Sequence, residues 1–354
     1  MNVKSLTLKN FRNHKYLSYE FQPGINTIIG PNGIGKTNIV EAIYYLSIVR
    51  SFRTNEESNL ILNGSEMAEI ASTISEGKII KKVKVGIQEE NRQILLNSKP
   101  ASKSELAKSI NVILFEPKDV LLFRGSPKER RHFLDLNISK KSHVYFESAS
   151  RYEKLLKQRN NLLKQQEIDE ILLETTTDLL IKTAAIIVSY RQLYVKDIND
   201  ILNKIARALT GEESKIEIKY LPFVKFDENF ESSAKKAFKS ALESDLKKKA
   251  TSIGTHREDF TVSLNGRDIA MFGSQGENRL VALALKLSPY FLIEDKDKRP
   301  IVVLDDVMSE LDKTHQDRLI KFLEKMEQVF ITATSPVVKN SAQYTLKNKG
   351  GLLK

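Results

Sequence analysis

The run Gly30-Pro31-Asn32-Gly33-Ile34-Gly35-Lys36-Thr37 constrains the fold of this chain more than any other stretch. It fits G-x-x-x-x-G-K-[ST], a loop that cradles phosphates between a strand and a helix. Ile25-Asn26-Thr27-Ile28-Ile29 reads as a buried strand before it, and Asn38 to Val49 is patterned as a helix after it. An α/β fold follows. Glycines at 30, 33 and 35 permit positive φ and a close approach of backbone to ligand. Successive N–H groups then form an anion nest, to which the helix adds its positive dipole end. Gly30, Pro31, Asn32, Gly33, Ile34, Gly35, Lys36, Thr37 and Asn38 are the expected nucleotide-binding residues. Lys36 is expected on the β- and γ-phosphates, and the Thr37 hydroxyl on Mg²⁺.

A second piece lies far downstream. Ile301-Val302-Val303-Leu304-Asp305-Asp306 reads as a buried parallel strand with acids at its C-terminal tip, the edge where open α/β sheets bind ligands. Asp305 is expected to hold Mg²⁺ with Thr37, and Asp306 to orient or deprotonate the attacking water. Lys36, Asp305 and Asp306 are thus the catalytic candidates. Upstream of that strand, Gly273-Ser274-Gln275-Gly276-Glu277-Asn278-Arg279 opens an apolar helix, Leu280 to Leu292. Ser274, Gln275 and Gly276 form a second helix-start anion site. One triphosphate rarely uses two such sites of one chain. Two chains head to tail would sandwich one ATP, with Ser309-Glu310-Leu311-Asp312 touching the partner copy.

Composition sets outer bounds. The 354 residues carry a net charge of +11, which favours an anionic partner such as nucleic acid. The absence of cysteine excludes disulfides and Cys-based zinc sites. The His residues show no metal-ligand spacing. No apolar run is long enough to span a bilayer, and Met1 to Lys4 leads straight into a strand. A cytoplasmic protein without a membrane partner is expected.

Ala68–Ile74, Ile79–Ile87 and Ile94–Leu96 look like an antiparallel meander with turns at Glu76-Gly77 and Glu89 to Asn91, and Val112–Phe115 like a further strand. Tyr145, Ala149, Tyr152, Leu156, Arg159 and Leu163 alternate steps of four and three, a coiled-coil-like stripe. A polar break at Gln165 to Asp169 separates it from a second helix reaching about Leu209, with Ile187, Tyr190, Tyr194, Ile198, Ile201 and Ile205 on one face. The expected organisation is a head split into residues 1–130 and 251–354, with a helical arm at 131–250. Lys78, Lys81, Lys82 and Lys84 form one basic cluster. Lys235, Lys236, Lys239, Lys247, Lys248 and Lys249 form another. Each is either a DNA-phosphate contact or a solvated face balanced by Glu. His256 and Arg257 either sense a phosphate, couple head to arm, or form a satisfied structural pair. Arg12, Asn13, Arg50 and Arg53 are weaker candidates for the nucleotide or the partner copy.

Glycine loop, Ser-x-Gly helix start, strand acids and Ser-x-Leu-Asp, in that order around the sheet, resemble an ATP-binding-cassette ATPase. Asn10-Phe11-Arg12-Asn13 ahead of the loop is similar to the SMC and Rad50-type branch. Arg50-Ser51-Phe52-Arg53-Thr54, Arg124-Gly125-Ser126-Pro127, Arg130 to Asp135 and Gly254 to Asp259 bring the resemblance to the bacterial RecF family, over residue 1 to about 335. It implies an ABC-type P-loop ATPase head with an inserted short antiparallel helical arm. It also implies ATP and Mg²⁺, an ATP-dependent homodimer, duplex or gapped DNA, a role in recombinational repair and replication, and RecO and RecR as partners. The chain departs from the family at two places. Gly254-Thr255-His256-Arg257-Glu258-Asp259 stands where the family usually reads Gly-Pro-His-Arg-Asp-Asp. Glu277 stands where the family usually has Gln, putting a carboxylate near a γ-phosphate. Ala333-Thr334-Ser335 lacks the His that transport cassettes carry after this strand, and Asp306 is shorter than their Glu. The shorter acid and the missing His point to slow hydrolysis. A transport-type cassette, an SMC-like structural head and a nuclease-associated ATPase are the rival readings. The long insert and missing His weigh against the first, the short arm against the second, and the lack of an acid-rich nuclease domain against the third.

Overall fold

The computed structural model describes residues 1–89, 91–338, 341–347 and 351–353. Strands β1 (Asn2–Phe11), β2 (His14–Glu20) and β3 (Gly24–Ile29) lead into helix α1 (Lys36–Ile48). Strands β4 (Ala68–Glu76), β5 (Ile79–Ile87), β6 (Arg92–Leu96) and β7 (Lys99–Pro100) precede helix α2 (Lys103–Ser109) and strand β8 (Val112–Phe115). Helices α3 (Pro127–Lys141), α4 (His143–Leu162) and α5 (Glu170–Thr210) are followed by strand β9 (Ile216–Leu221) and helix α6 (Phe230–Lys248). Strands β10 (Asp259–Leu264) and β11 (Arg267–Asp268) lead to helices α7 (Ile269–Phe272) and α8 (Gln275–Phe291). Strand β12 (Ile301–Leu304), helix α9 (Lys313–Leu323) and strands β13 (Gln328–Ala333), β14 (Ala342–Lys347) and β15 (Gly351–Leu353) complete the order.

The chain divides into two units. One comprises Met1–Asp119, Lys204–Glu213 and Leu283–Lys354, the other Val120–Asn203 and Ser214–Ala282. These boundaries cut across the three sequence segments: 120–130 and 251–282 fall in the second unit and 204–213 in the first.

The first unit contains a sheet in the order β15-β14-β3-β13-β12-β8. From β14 to β8 its neighbours run parallel, and β15 pairs antiparallel with β14. Strands β12 and β13 are buried at every residue, because a parallel sheet is covered on both faces. The register puts Ile29 beside Ala333, and Leu304 beside both Ile331 and Phe115. The glycine loop after β3 and the acids after β12 therefore leave the sheet at one edge. The second sheet of this unit, β2-β1-β4-β5-β6-β7, is the antiparallel meander. Its inward residues, among them Leu6, Leu8, Ile70 and Val85, share a core with Ile39, Ile43 and Leu46 of α1. Residue 90 of the expected second turn lies outside the described residues; across it the Gln88 N–H donates to the Asn91 carbonyl at 2.8 Å.

In the second unit α4 and α5 form an antiparallel hairpin. Tyr145 meets Arg191, Arg159 meets Thr177, and Leu163 clusters with Leu173 near the turn. The buried stripe of α4 is Tyr145, Ser148, Tyr152, Leu155, Arg159 and Leu162. It shares every second anchor with the expected stripe, but Ala149 and Leu156 are only half-buried. The reason is α6. Arg159 of α4, 1% exposed, donates to Asp245 of α6 at 2.8 Å, so α4 buries its side facing two neighbours rather than one seam. A small sheet, β11-β10-β9, completes the unit.

Candidate phosphate-binding site

Gly33 and Gly35 hold φ of +80° and +109°, as a loop of inward-turned amides requires. Gly30 does not; its missing side chain serves packing. A Cβ there would lie 3.0 Å from Ile34 Cγ2 and 3.2 Å from the Leu346 carbonyl. A Cβ on Gly35 would fall 2.6 Å from His14 Nε2. Lys36 is 7% exposed, and its ammonium donates to the carbonyls of Gly30 (2.7 Å) and Pro31 (3.0 Å). Burial lowers its pKa, while Asp306 and Asp305 pull in the other direction. The lysine that the sequence assigned to phosphates therefore stands over the loop, within the field of both strand acids.

Asp305 accepts from Thr37 Oγ1 at 3.1 Å and from Thr332 Oγ1 at 2.7 Å. Desolvation raises its pKa, opposed by those two hydroxyls. Asp306 sits in the left-handed region at φ +51°, where Asp is one of the few tolerated side chains. The Asp306 N–H donates to Thr332 Oγ1 at 2.8 Å, so one threonine positions both acids. Thr332 carried no sequence signal beyond its place at the end of a buried strand. A threonine hydroxyl and a carboxylate 3.1 Å apart are hard oxygen donors of the kind Mg²⁺ uses beside phosphate. The residues fit that ion. No cluster of three or more acidic, His or Cys ligands exists among the described residues, so phosphate and water would complete its shell.

Sequence reasoning missed Glu41. It lies in α1 and is 0% exposed. It accepts from Arg12 Nε at 2.9 Å, Arg12 Nη2 at 2.5 Å and Ser51 Oγ at 2.5 Å. Arg53 Nη1 reaches it at 3.5 Å and donates to Asn38 Oδ1 at 2.8 Å. Asn38 donates to Asn13 Oδ1 at 2.6 Å, and Asn13 donates to the Ile34 carbonyl at 3.2 Å. The β1–β2 turn and the segment after α1 are thus clamped to α1 through one buried acid, and Asn13 ties that turn to the loop. A lone Glu inside Ile39-Val40-Glu41-Ala42-Ile43 was the available signal, since a buried charge needs partners. Arg12, Asn13, Arg53, Lys36, Thr37 and Asp306 line a cavity of about 660 Å³. Arg50 is exposed and outside it. Glu116, at the tip of β8, is a further acid on this sheet edge. Burial pushes its pKa up to about 7.

The Ser-x-Gly segment belongs to the second unit. Ser274 and Glu277 form a reciprocal capping box at the start of α8. Ser274 N–H donates to Glu277 Oε2 at 2.8 Å, and Glu277 N–H to Ser274 Oγ at 3.2 Å. The Glu277 carboxylate is thus engaged with its own helix start, and those bonds lower its pKa. Gln satisfies the same box, so this change keeps the local geometry. Gly276 faces open space. Arg124 braces the turn from behind, donating to the carbonyls of Ala270 (3.1 Å) and Gly273 (3.0 Å). In the first unit, Asp312 caps α9 through the His315 N–H, and Ser309 Oγ donates to the Asp306 carbonyl at 3.0 Å.

The family model for the RecF/RecN/SMC N terminal domain matches residues 2–349. The chain belongs to the RecF family. It is 36% identical over 337 residues to the "DNA replication and repair protein RecF" of Clostridium novyi, covering 94% of this chain and 93% of that protein. The protein of the same description from Clostridioides difficile is 36% identical over 340 residues. The solved structure of the recombination mediator protein RecF with ATPrS in the RecFOR pathway aligns at a TM-score of 0.89 and 33% identity, covering 99% of this chain and 97% of that one. An Smc head domain from Pyrococcus furiosus aligns at 0.60 with 18% identity and shares the fold. The ABC-type ATPase head expected from sequence is the fold present.

The remaining family segment, Gly254 to Asp259, ties the helices of the second unit together. His256 uses both ring nitrogens, Nδ1 with Tyr152 Oη at 3.0 Å and Nε2 with the Thr251 carbonyl at 3.1 Å, and burial lowers its pKa. Arg130 forms a bidentate pair with Asp259 at 2.7 and 2.8 Å. Arg191 joins Glu258 at 2.8 Å and Asp135 at 2.8 Å. His256 is therefore a satisfied structural histidine. The basic clusters are mixed. Lys81 pairs with Glu76, Lys84 with Glu69, Lys235 with Asp178 and Lys247 with Glu243. Lys78, Lys82, Lys236 and Lys239 have no ion pair among the described residues. No helix of the described residues is long and apolar enough to cross a membrane.

Proposed function

We propose that this chain is an ATP-dependent DNA-binding protein of recombinational repair and replication. The convergence of Lys36, Thr37, Asp305 and Asp306 at one sheet edge carries the reading. Lys36 would exchange its loop carbonyls for phosphate oxygens, and the amides of Gly33 to Thr37 would line the phosphates. Thr37 and Asp305 would hold Mg²⁺, which supplies charge neutralisation when bound. Asp306, fixed by Thr332, would orient the attacking water and accept its proton. A short acid and the absence of His in Ala333-Thr334-Ser335 favour slow turnover.

Ser274, Gln275 and Gly276 of a second copy would close the nucleotide, so ATP joins two heads (residues 1–130 and 251–354) and brings their arms (131–250) together. The paired surface would hold duplex or gapped DNA through unpaired lysines, and hydrolysis would release it. The RecFOR pathway named for a solved relative supports RecO and RecR as partners, and the role that goes with them is loading a recombinase in the cytoplasm. Anisotropy of a labelled gapped duplex, with and without Mg-ATP, tests this with wild type, Lys36→Ala and Asp306→Asn. ATP should tighten binding by wild type and prolong it with Asp306→Asn, and Lys36→Ala should lose the response. Binding indifferent to ATP in wild type and Asp306→Asn would remove the clamp.

A further inference from the structure

Helix α7 breaks the usual rule for apolar side chains. Ile269 is 2% exposed, but Met271 is 74% exposed and Phe272 64%. Such exposure often marks a loose end, and here it does not. The Asp268 carboxylate caps the turn, accepting from the N–H groups of Ala270 at 2.8 Å and Met271 at 3.3 Å. The Gly273 N–H donates to the Ile269 carbonyl at 3.0 Å, and Arg124 grips the carbonyls of Ala270 and Gly273. A Cβ on Gly273 would come within 2.5 Å of the Ile269 carbonyl, so this turn is tight. The backbone therefore holds two large apolar side chains in water, immediately before Ser274.

We infer that Met271 and Phe272 are the apolar anchor of a contact with a second copy of this chain. The inference rests on the proposed ATP-joined pairing and names the residues that hold it. Two observations and one symmetry argument select that occupant. The pair is continuous in sequence with the Ser274 helix start, the segment that would close the partner's nucleotide. The phosphate cavity carries an apolar side of its own, Ile61 and Leu62, both half-buried. A twofold contact is self-complementary, so each anchor is used twice and one short turn suffices. Buried aromatic and Met anchors surrounded by polar contacts are the usual energetic centre of such interfaces. The polar groups around ATP would set register, and Met271 and Phe272 would supply desolvation.

The test uses the full chain carrying Asp306→Asn, with Mg-ATP, followed by sedimentation velocity. Phe272→Asp and Met271→Asp should weaken ATP-dependent dimerisation roughly 100-fold, because each change enters the interface twice. Phe272→Leu should restore most of it. Binding of a fluorescent ATP analogue to the monomer, and far-UV melting, should stay unchanged, which separates a lost contact from a lost fold. If the parent dimerises with ATP and the Asp variants dimerise equally well, the anchor is wrong and the pairing stands. If the parent binds ATP and stays monomeric, the pairing itself fails, and the anchor with it.

Discussion

Two buried acids, one in each unit, are held in opposite ways. Glu258 is 3% exposed and meets a cation within its own chain, Arg191 at 2.8 Å, with the Phe223 N–H at 3.0 Å and the Tyr220 hydroxyl completing its shell. Asp305 is 7% exposed and meets only hydroxyls among the described residues, those of Thr37 and Thr332. Burying a carboxylate costs several kcal/mol unless a charge compensates it. At Glu258 the compensation is built in, and the result is a joint between helices and sheet. At Asp305 it is left to come from outside, which is what a divalent cation beside phosphates provides. Glu41 shows that the first unit also builds closed acids, since two arginines and a serine surround it. Openness at Asp305 is therefore specific to the sheet edge.

The comparison breaks most visibly at Arg191. Arg191→Leu strands Glu258 and Asp135 and should cost about 3–5 kcal/mol in urea unfolding. Arg12→Ala leaves Glu41 with Ser51 and one long arginine contact, for a loss of about 2 kcal/mol. Glu277→Ala should remove a capping box worth about 1 kcal/mol, and Glu277→Gln should restore it. Because its folded pKa is depressed, the Glu277 contribution is present above the ordinary carboxylate pKa and fades as pH falls through the folded value. Asp305→Asn should leave the nucleotide-free protein at least as stable, since it removes an uncompensated buried charge and both hydroxyls keep an acceptor. Nucleotide titrations with Mg²⁺ and with chelator should show it losing the metal-dependent part of affinity. A destabilisation matching Arg191→Leu would erase the contrast. Glu116→Gln is read from the pH dependence of stability rather than from stability at one pH. Its folded pKa of about 7 lies above the unfolded one, so ionisation opposes folding and stability falls as pH rises through that window. The substitution should flatten that slope in melts between pH 5 and 8.

Much of the site was legible because its pieces are short and local. A glycine loop needs particular residues at fixed offsets, and so does a strand ending in acids. Neither depends on what else the chain packs against. The clamp on Glu41 was not legible, because Arg12, Ser51 and Arg53 reach one acid from separate segments. At Glu277 the i, i+3 spacing from Ser274 was legible as a capping box, and the structure shows that box formed. The stripe on α4 missed by one position because helix periodicity reports one buried seam, and α6 adds a second.

The sequence by itself determined the α/β class, the loop and its lysine, the strand acids, and the long helices of the second unit. Each of these is fixed by local sterics, backbone hydrogen bonding or hydrophobic period. Tertiary structure alone decided that Thr332 positions both acids, that the Gly254 to Asp259 segment locks helices, and that Met271 and Phe272 stand in water. Those outcomes depend on desolvation and on partners remote in the chain, and no local pattern encodes them.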